Sequence, residues 1–340
     1  PRSEQHPEAW WQALKQACAQ LGDARQRVVA VAVAGQQHGL VLLDDEGAPL
    51  RAAPLWNDTT AAPEAAALVK DLGPEAWAEG CGSVPVASFT IAKLAHLART
   101  EPEVLARTAR VMLPHDYLTW RLCGAHVTDP GDASGTGWYD PAAGAYRSDL
   151  LAAAVDGGEA WLARLPTVEA SRTGVGELSA QAAGVLGLPP GCVVATGTGD
   201  NMGAALGLGA KRGQVVVSLG TSGTAYAVSD TATADPSGAV AGFADATGRF
   251  LPLVCTLNAT RVTDAIAGWM GLSAEAFAQL AAEADPAPTE AVVVPYFDGE
   301  RTPNRPDAAG MIFGLRTGTG RAELARAAHD GVLCGLLDGT

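Results

Sequence analysis

One carboxylate, Asp200, stands in the glycine-rich stretch Thr196-Gly-Thr-Gly-Asp-Asn-Met-Gly203. The apolar run Cys192-Val-Val-Ala195 before it reads as a buried strand, and Ala204-Ala-Leu206 after it as the start of a buried helix. Glycines in such a turn let another group come close to the backbone, because no Cβ stands in the way. An acid at a helix start is held as the anion by the free N–H groups and the helix dipole. A carboxylate kept ready to take a proton is what a general base requires. The same placement suits a plain helix N-cap, so residue type alone leaves both roles open. The spacing Gly197-x-Gly199-x-x-x-Gly203 also resembles a dinucleotide fingerprint. Two features argue against that reading. Asp200 would put negative charge where a pyrophosphate must sit, and the next strand, 215–219, ends in Gly220-Thr221 with no acid for a ribose.

Three other sets of residues could do chemistry. Gly35-Gln-Gln-His-Gly39 follows a strand-like run, and strand ends are where ligands collect in open α/β sheets. Gln37 and His38 are therefore candidates for recognising hydroxyls, with a strand-end cap as the competing role for His38. In Pro54-Leu-Trp-Asn-Asp58 an indole beside an amide (Asn57) and a carboxylate (Asp58) could hold a sugar, or could form a surface turn. Gly220-Thr-Ser-Gly-Thr224 between two strands could offer backbone N–H groups and hydroxyls to a terminal phosphate, or be an ordinary hairpin turn. Asp129 and Asp132, in the loop Thr128-Asp-Pro-Gly-Asp-Ala-Ser-Gly-Thr136, could bind an ion, though capping of turns is the stronger expectation.

The elements that must position these residues alternate between helix and strand. Helical periodicity runs over 7–18 with Pro7 in its first turn, and 27–34 is apolar after Arg27, as in a buried parallel strand. A strand is expected at 40–43. A helix starting at 89 would have Thr90 as its cap and Lys93 on its polar face. Helices are expected at 116–122 and 177–188, and strands at 215–219, 225–228 and 250–256. A helix over 261–270, a short strand at 310–315 and a helix from 321 to the end complete the set. No repeat at solenoid periods is present.

With 340 residues, 48% of them hydrophobic, there is material for two packed domains. A net charge of −14 argues against a nucleic-acid or anionic-membrane surface. Any phosphate would then be held by backbone N–H groups and a metal rather than by a basic patch. The six cysteines form no CxxC pair, which fits reduced thiols in the cytoplasm. No run approaches a membrane span, and no signal peptide is evident. The opening Pro1-Arg-Ser-Glu-Gln-His6, without Met, suggests a piece of something longer.

Eight segments in register resemble the FGGY carbohydrate kinases. They are Gly-Gln-Gln-His-Gly at 35–39, Leu-Trp-Asn-Asp at 55–58, Phe-Thr-x-x-Lys-Leu at 89–94 and Asp-Tyr-Leu at 116–118. Thr-Asp-x-x-Asp-Ala-Ser-Gly-Thr at 128–136, Gly-Asp-Asn at 199–201, Ser-Leu-Gly-Thr-Ser-Gly at 218–223 and Gly-Glu-Arg-Thr-Pro at 299–303 follow. The resemblance implies an α/β, actin-like (ribonuclease H-like) ATPase fold of two domains with a cleft between them. It puts a sugar-binding domain at 1–210 and a nucleotide domain at 211–340. It implies Asp200 as catalytic base, with Gln37, His38, Asn57, Asp58 and Asn201 toward the sugar. Gly220, Thr221, Ser222, Gly223 and Asp264 fall on the ATP side. Mg²⁺ is implied with no certain protein ligand, Asp200 being able to reach it through water. The implied reaction is ATP-dependent phosphorylation of D-xylulose to D-xylulose 5-phosphate by a homodimer. Ribulose, glycerol or gluconate kinases, or a non-catalytic sugar-binding fragment, remain as alternatives. Gln37 replaces the family's usual Met, His96 its frequent Trp, and His329 an apolar residue. The family's Asp-x-Gly-Thr motif and its Gly-rich adenosine motif are not in this sequence, so the resemblance is to the central two-thirds of such a kinase.

Overall fold

The computed structural model describes residues 2–287, 290–305 and 307–338. The chain divides into two compact units, Pro1–Ala210 with Val228–Pro252, and Lys211–Ala227 with Leu253–Thr340.

In the first unit, helix Pro7–Gln20 begins on Pro7, with His6 Nδ1 accepting from the Glu8 N–H. Its apolar face, Trp11 and Cys18, buries against Leu122, Leu178, Leu186, Cys192 and Val194. Helix Pro114–Cys123 also begins on a proline, whose missing N–H costs nothing in a first turn. It stops at Gly124, whose φ of 82° suits only a residue without a Cβ.

Strand Val193–Ala195 pairs in parallel with Ala30–Val31 and antiparallel with Gly174–Glu177. Thr198–Gly199 pairs in parallel with Ala34–Gly35, in the register Thr198↔Ala34 and Gly199↔Gly35. Gly197 makes the step between these two pairings. Its φ is 85°, and a Cβ there would lie 2.3 Å from the Val33 carbonyl oxygen. This register brings the turn after Gly35 alongside the turn after Gly199.

Several expectations are corrected in this unit. The run 27–34 is parallel but not buried: a 3-10 turn, Gly22–Arg27, takes its first residue. Ala30–Val31 is an edge strand among the described residues, and Val29 is 78% exposed. Strand Gly174–Glu177 occupies the start of the helix expected from 177, which runs over Ala180–Leu186 with Ser179 as its cap. Helix Asp200–Gly207 buries Met202 and Ala205 but exposes Leu206. Helix Thr90–Thr100 has Phe89 rather than Thr90 at its N-cap. Lys93 is buried, its Nζ donating to the Ser88 carbonyl.

In the second unit, Val215–Leu219 and Gly223–Ala227 form an antiparallel hairpin. Residues 253–256 of strand Phe250–Thr256 pair with its second arm. Helices Thr260–Trp269, Ala274–Ala282 and Arg321–Leu337 share a core with strand Val292–Val294, through Val262, Ile266, Phe277, Val293, Ala328 and Val332. Gly331 lets the long helix close on that strand, since a Cβ would lie 2.2 Å from the Val293 carbonyl oxygen. Residues 339–340, in the helix expected to run to the end, lie outside the described residues. Among those described, no helix is long and apolar enough to cross a membrane.

Candidate active site

Asp200 is the first residue of helix Asp200–Gly207, and Gly199 takes the N-cap position. Its Oδ1 accepts from the Asn201 backbone N–H at 2.8 Å and from Asn201 Nδ2 at 3.1 Å. The side chain reaches solvent, yet protein surrounds it closely enough to thin its hydration. That desolvation outweighs the Asn201 hydrogen bonds and raises its pKa above the ordinary carboxylate value. The helix terminus therefore does not hold Asp200 as a more stable anion, contrary to the expectation from its position. A raised pKa makes a carboxylate a stronger base.

Asn201 also links Asp200 to the neighbouring turn, Nδ2 lying 3.5 Å from Gln37 Oε1. Gln37 is buried and directs Nε2 at the Gly131 carbonyl, again at 3.5 Å. Gly199 permits this approach, because a Cβ on it would be 2.9 Å from Gln37 Cγ.

His38 adopts φ 66°, the left-handed region that few non-glycine residues occupy. It is 4% exposed, with its ring stacked on Phe89 at 4.8 Å between centroids and tilted against Phe243 at 5.9 Å. Nδ1 lies 2.7 Å from the Gly135 carbonyl oxygen. A carbonyl only accepts, so Nδ1 carries the hydrogen, and in the neutral ring Nε2 is the acceptor. Gly135 has no room for a side chain, since a Cβ would be 2.7 Å from the His38 ring. His38 is thus a core residue as well as a site candidate, not a residue perched at a strand end.

Asn57 and Asp58 lie on another turn, where Asp58 makes its own hydrogen bonds. Asp58 is buried, accepting from the Ser3 N–H at 2.6 Å, the Thr60 N–H at 2.9 Å and the Thr60 hydroxyl. Burial alone would raise its pKa, but those bonds prevail and lower it. Asp58 anchors a loop, and Asn57 beside it is exposed.

On the second unit, the turn 220–222 joins the hairpin arms. The Gly220 N–H donates to the Ser222 carbonyl at 3.0 Å, so one amide of the expected nest is already engaged. The carbonyls of Gly220 and Thr221 accept from the N–H groups of Thr260 and Ala259 at 2.9 and 3.1 Å. The hairpin tip therefore docks on the first turn of helix Thr260–Trp269. Thr221 is exposed, Ser222 half-buried and Gly223 buried. Asp264 is exposed on the same helix, four residues beyond Thr260.

Among the described residues, the group with metal-ligand character is His115, Asp116 and Asp132, fully buried, with ligand-type atoms within 4.8 Å of one another. His115 Nδ1 lies 2.6 Å from Asp132 Oδ2 and 3.3 Å from Asp116 Oδ1. Burial alone would lower the imidazole pKa. Asp116, Asp132 and Asp129 prevail and push it up to about 10. The protonated ring is itself the cation of this group. Asp129, expected to cap a turn, does so, accepting from the Gly131 and Asp132 N–H groups. Asp132 instead pairs with His115.

Two contributors were missed in the sequence. Phe243 lies in the segment 228–252, which packs with the first unit although it follows the hairpin in the chain. No local signal marks it. Thr198 donates its hydroxyl to Asp129 at 2.6 Å, and its only sequence signal is its place between Gly197 and Gly199.

The family model for the N-terminal domain of FGGY carbohydrate kinases matches residues 1–207, and that for the C-terminal domain matches residues 215–340. The chain belongs to the FGGY family of carbohydrate kinases. It is 49% identical over 338 residues to a xylulose kinase of Streptomyces coelicolor, covering 98% of this chain and 67% of that protein. A xylulose kinase of Streptomyces rubiginosus is 48% identical over 338 residues, covering 98% of this chain and 67% of its own length. The solved xylulose kinase of Bifidobacterium adolescentis superposes with a TM-score of 0.84 at 42% identity, covering 98% of this chain and 74% of that one.

Proposed function

We propose that this kinase transfers the terminal phosphoryl group of ATP to the primary hydroxyl of D-xylulose, with Asp200 as general base. The observation that carries the assignment is the hydrogen-bonded group Asp200–Asn201–Gln37, with His38 on the same turn as Gln37. It sets a carboxylate of raised pKa beside three side chains able to hold a polyhydroxylated substrate. The xylulose kinases among its relatives support the choice of sugar. Asp200 aligns the hydroxyl and takes its proton as the phosphoryl group arrives. Phosphoryl transfer asks for positioning and charge neutralisation more than for covalent chemistry.

On the nucleotide side, the 220–223 turn with the Thr221 and Ser222 hydroxyls would receive the phosphates, and Asp264 lies toward the same ligand. Mg²⁺ would neutralise the triphosphate. The His115 group does not suit it, being buried and already holding its own positive charge. Asp200, open to solvent, can contact a hydrated ion through water. The six cysteines, all free, fit a cytoplasmic enzyme.

The test is Asp200→Asn in the full-length gene product. The rate should fall by about 10²–10⁴-fold, with xylulose affinity changed far less. Retention of more than about a tenth of the wild-type rate would overturn the base assignment.

A further inference from the structure

The loop between strand Val127–Thr128 and Thr136 touches Gln37 and His38 of the proposed sugar side, and Thr198 just before Asp200. The Gly131 carbonyl faces Gln37 Nε2, and the Gly135 carbonyl accepts from His38. The third link runs through a side chain. Asp129 is fully buried and its Oδ2 accepts from Thr198 Oγ1 at 2.6 Å and Ser171 Oγ at 2.7 Å. The same carboxylate accepts from the N–H groups of Gly131 at 3.1 Å and Asp132 at 3.0 Å. Thr198 in turn lies two residues before Asp200, in the pairing that aligns Gly199 with Gly35. The loop is itself fixed from the other side, where His115 of helix Pro114–Cys123 grips Asp132 at 2.6 Å.

We propose that Asp129 is a positioning residue for the phosphoryl-transfer base: gripping Thr198, it sets the height of the Asp200 turn against the loop that holds Gln37 and His38. The inference rests on the reading of Asp200 as base. The hydroxyl bond to this buried carboxylate and the Thr198 N–H donating to the Val33 carbonyl at 3.0 Å fix Thr198 in a single place. Asp200 inherits that placement through a two-residue link whose middle member, Gly199, has no side chain to steady it. A displacement of about 1 Å at a reacting group can cost on the order of 10²-fold in rate. A hydroxyl that takes no part in the proton transfer can therefore control turnover.

Thr198→Val removes the hydroxyl and keeps the branched shape, so the Asp129–Thr198 bond alone is lost. Measured on the full-length gene product, it should lower kcat about ten- to a hundredfold and leave the KM for xylulose within about twofold. Thr198→Ser, which restores a hydroxyl, should return kcat to within a few-fold of wild type. Ser171→Ala removes an equally short bond to the same Asp129 oxygen without touching the base strand, and should leave kcat nearly unchanged. The proposal is overturned if Thr198→Val turns over like wild type, or if Thr198→Ser fails to rescue. It is also overturned if Ser171→Ala loses as much activity, since the effect would then be general loosening. Should Thr198→Val not fold, kcat of the serine and Ser171→Ala variants decides by the same criteria. Asp200→Asn in parallel separates the two readings. An active Asp200→Asn removes the base, whereas an inactive one beside an unaffected Thr198→Val removes only the positioning role.

Discussion

At the scale of single residues, the structure gives His38 a packing role, and the sugar role proposed for it would be held together with that one. Its ring is packed between Phe89 and Phe243, its Nδ1–H is committed to Gly135, and its backbone is left-handed. His38→Ala must then lose stability as well as sugar affinity, because the buried Gly135 carbonyl loses its donor at roughly 1–3 kcal/mol. His38→Asn separates the effects. Asn accepts positive φ better than most residues, and its amide can still donate to Gly135. The expected outcome is a smaller drop in melting temperature than for alanine, with a rise of ~5–150-fold in KM for xylulose. An unchanged KM in both variants would remove His38 from the sugar site. The place of Asp200 at a helix start was legible because a short strand and a small apolar run frame its Gly-x-Gly turn. The burial of His38 was not, since Phe89 and Phe243 are brought to it from 51 and 205 residues along the chain. Asp58 was readable as part of a turn, but its bond from Ser3, 55 residues earlier, was not.

At the scale of elements, the hairpin proposed to receive the nucleotide is held by what lies under its tip. Glu300 is buried and accepts from the Leu257 N–H at 2.6 Å, the Arg301 N–H at 2.7 Å and Asn258 Nδ2 at 3.0 Å. It thereby fixes the chain just before Ala259 and Thr260, whose N–H groups hold the hairpin carbonyls. Glu300→Gln keeps the shape but weakens the charged acceptor, so the second unit should lose about 1–3 kcal/mol. The KM for ATP should rise several-fold while that for xylulose stays put. Equal changes in both constants would show that Glu300 does not act through the hairpin. The turn itself was readable from Gly-Thr-Ser-Gly between two apolar runs, whereas its docking on helix Thr260–Trp269 depends on contacts about 40 residues apart. The run 27–34 marks another limit. Apolar composition states what a segment can bury, and Val29 at 78% exposure shows that pairing on one side only leaves part of it uncovered. The two short parallel pairings that make the site depend on Gly197, whose positive φ no periodicity could reveal.

At the scale of the whole molecule, the buried group His115–Asp116–Asp132 should tilt stability with pH. Burial outweighs the pull of His115 on both carboxyls, raising Asp116 to about 6 and Asp132 to about 7. His115 is raised to about 10 from an ordinary 6.5. All three shifts have one sign: the folded chain keeps protons that the unfolded chain has released. Stability from the carboxyls is present below their ordinary value of 3.8 and lost as pH rises through about 6 and 7. That from His115 is whole below 6.5 and lost as pH rises through about 10. Carboxylates with lowered pKa, Glu8, Asp58, Glu64, Asp149 and Asp235, act oppositely and lose their contribution only in acid. A net charge of −14 adds self-repulsion that grows with pH. The maximum should therefore lie on the acid side of neutrality, with the melting temperature falling from pH 6 to pH 10. Seven of the eight tryptophans, all but Trp269, belong to the first unit, so their fluorescence reports on the unit that contains this group. Asp132→Asn keeps an oxygen for His115 Nδ1–H while removing one titrating carboxyl and one source of the imidazole shift. Its melting temperature should fall less steeply over the same range. A wild type that gains stability toward pH 10, or a variant with the wild-type slope, would show that the buried group does not govern the pH response.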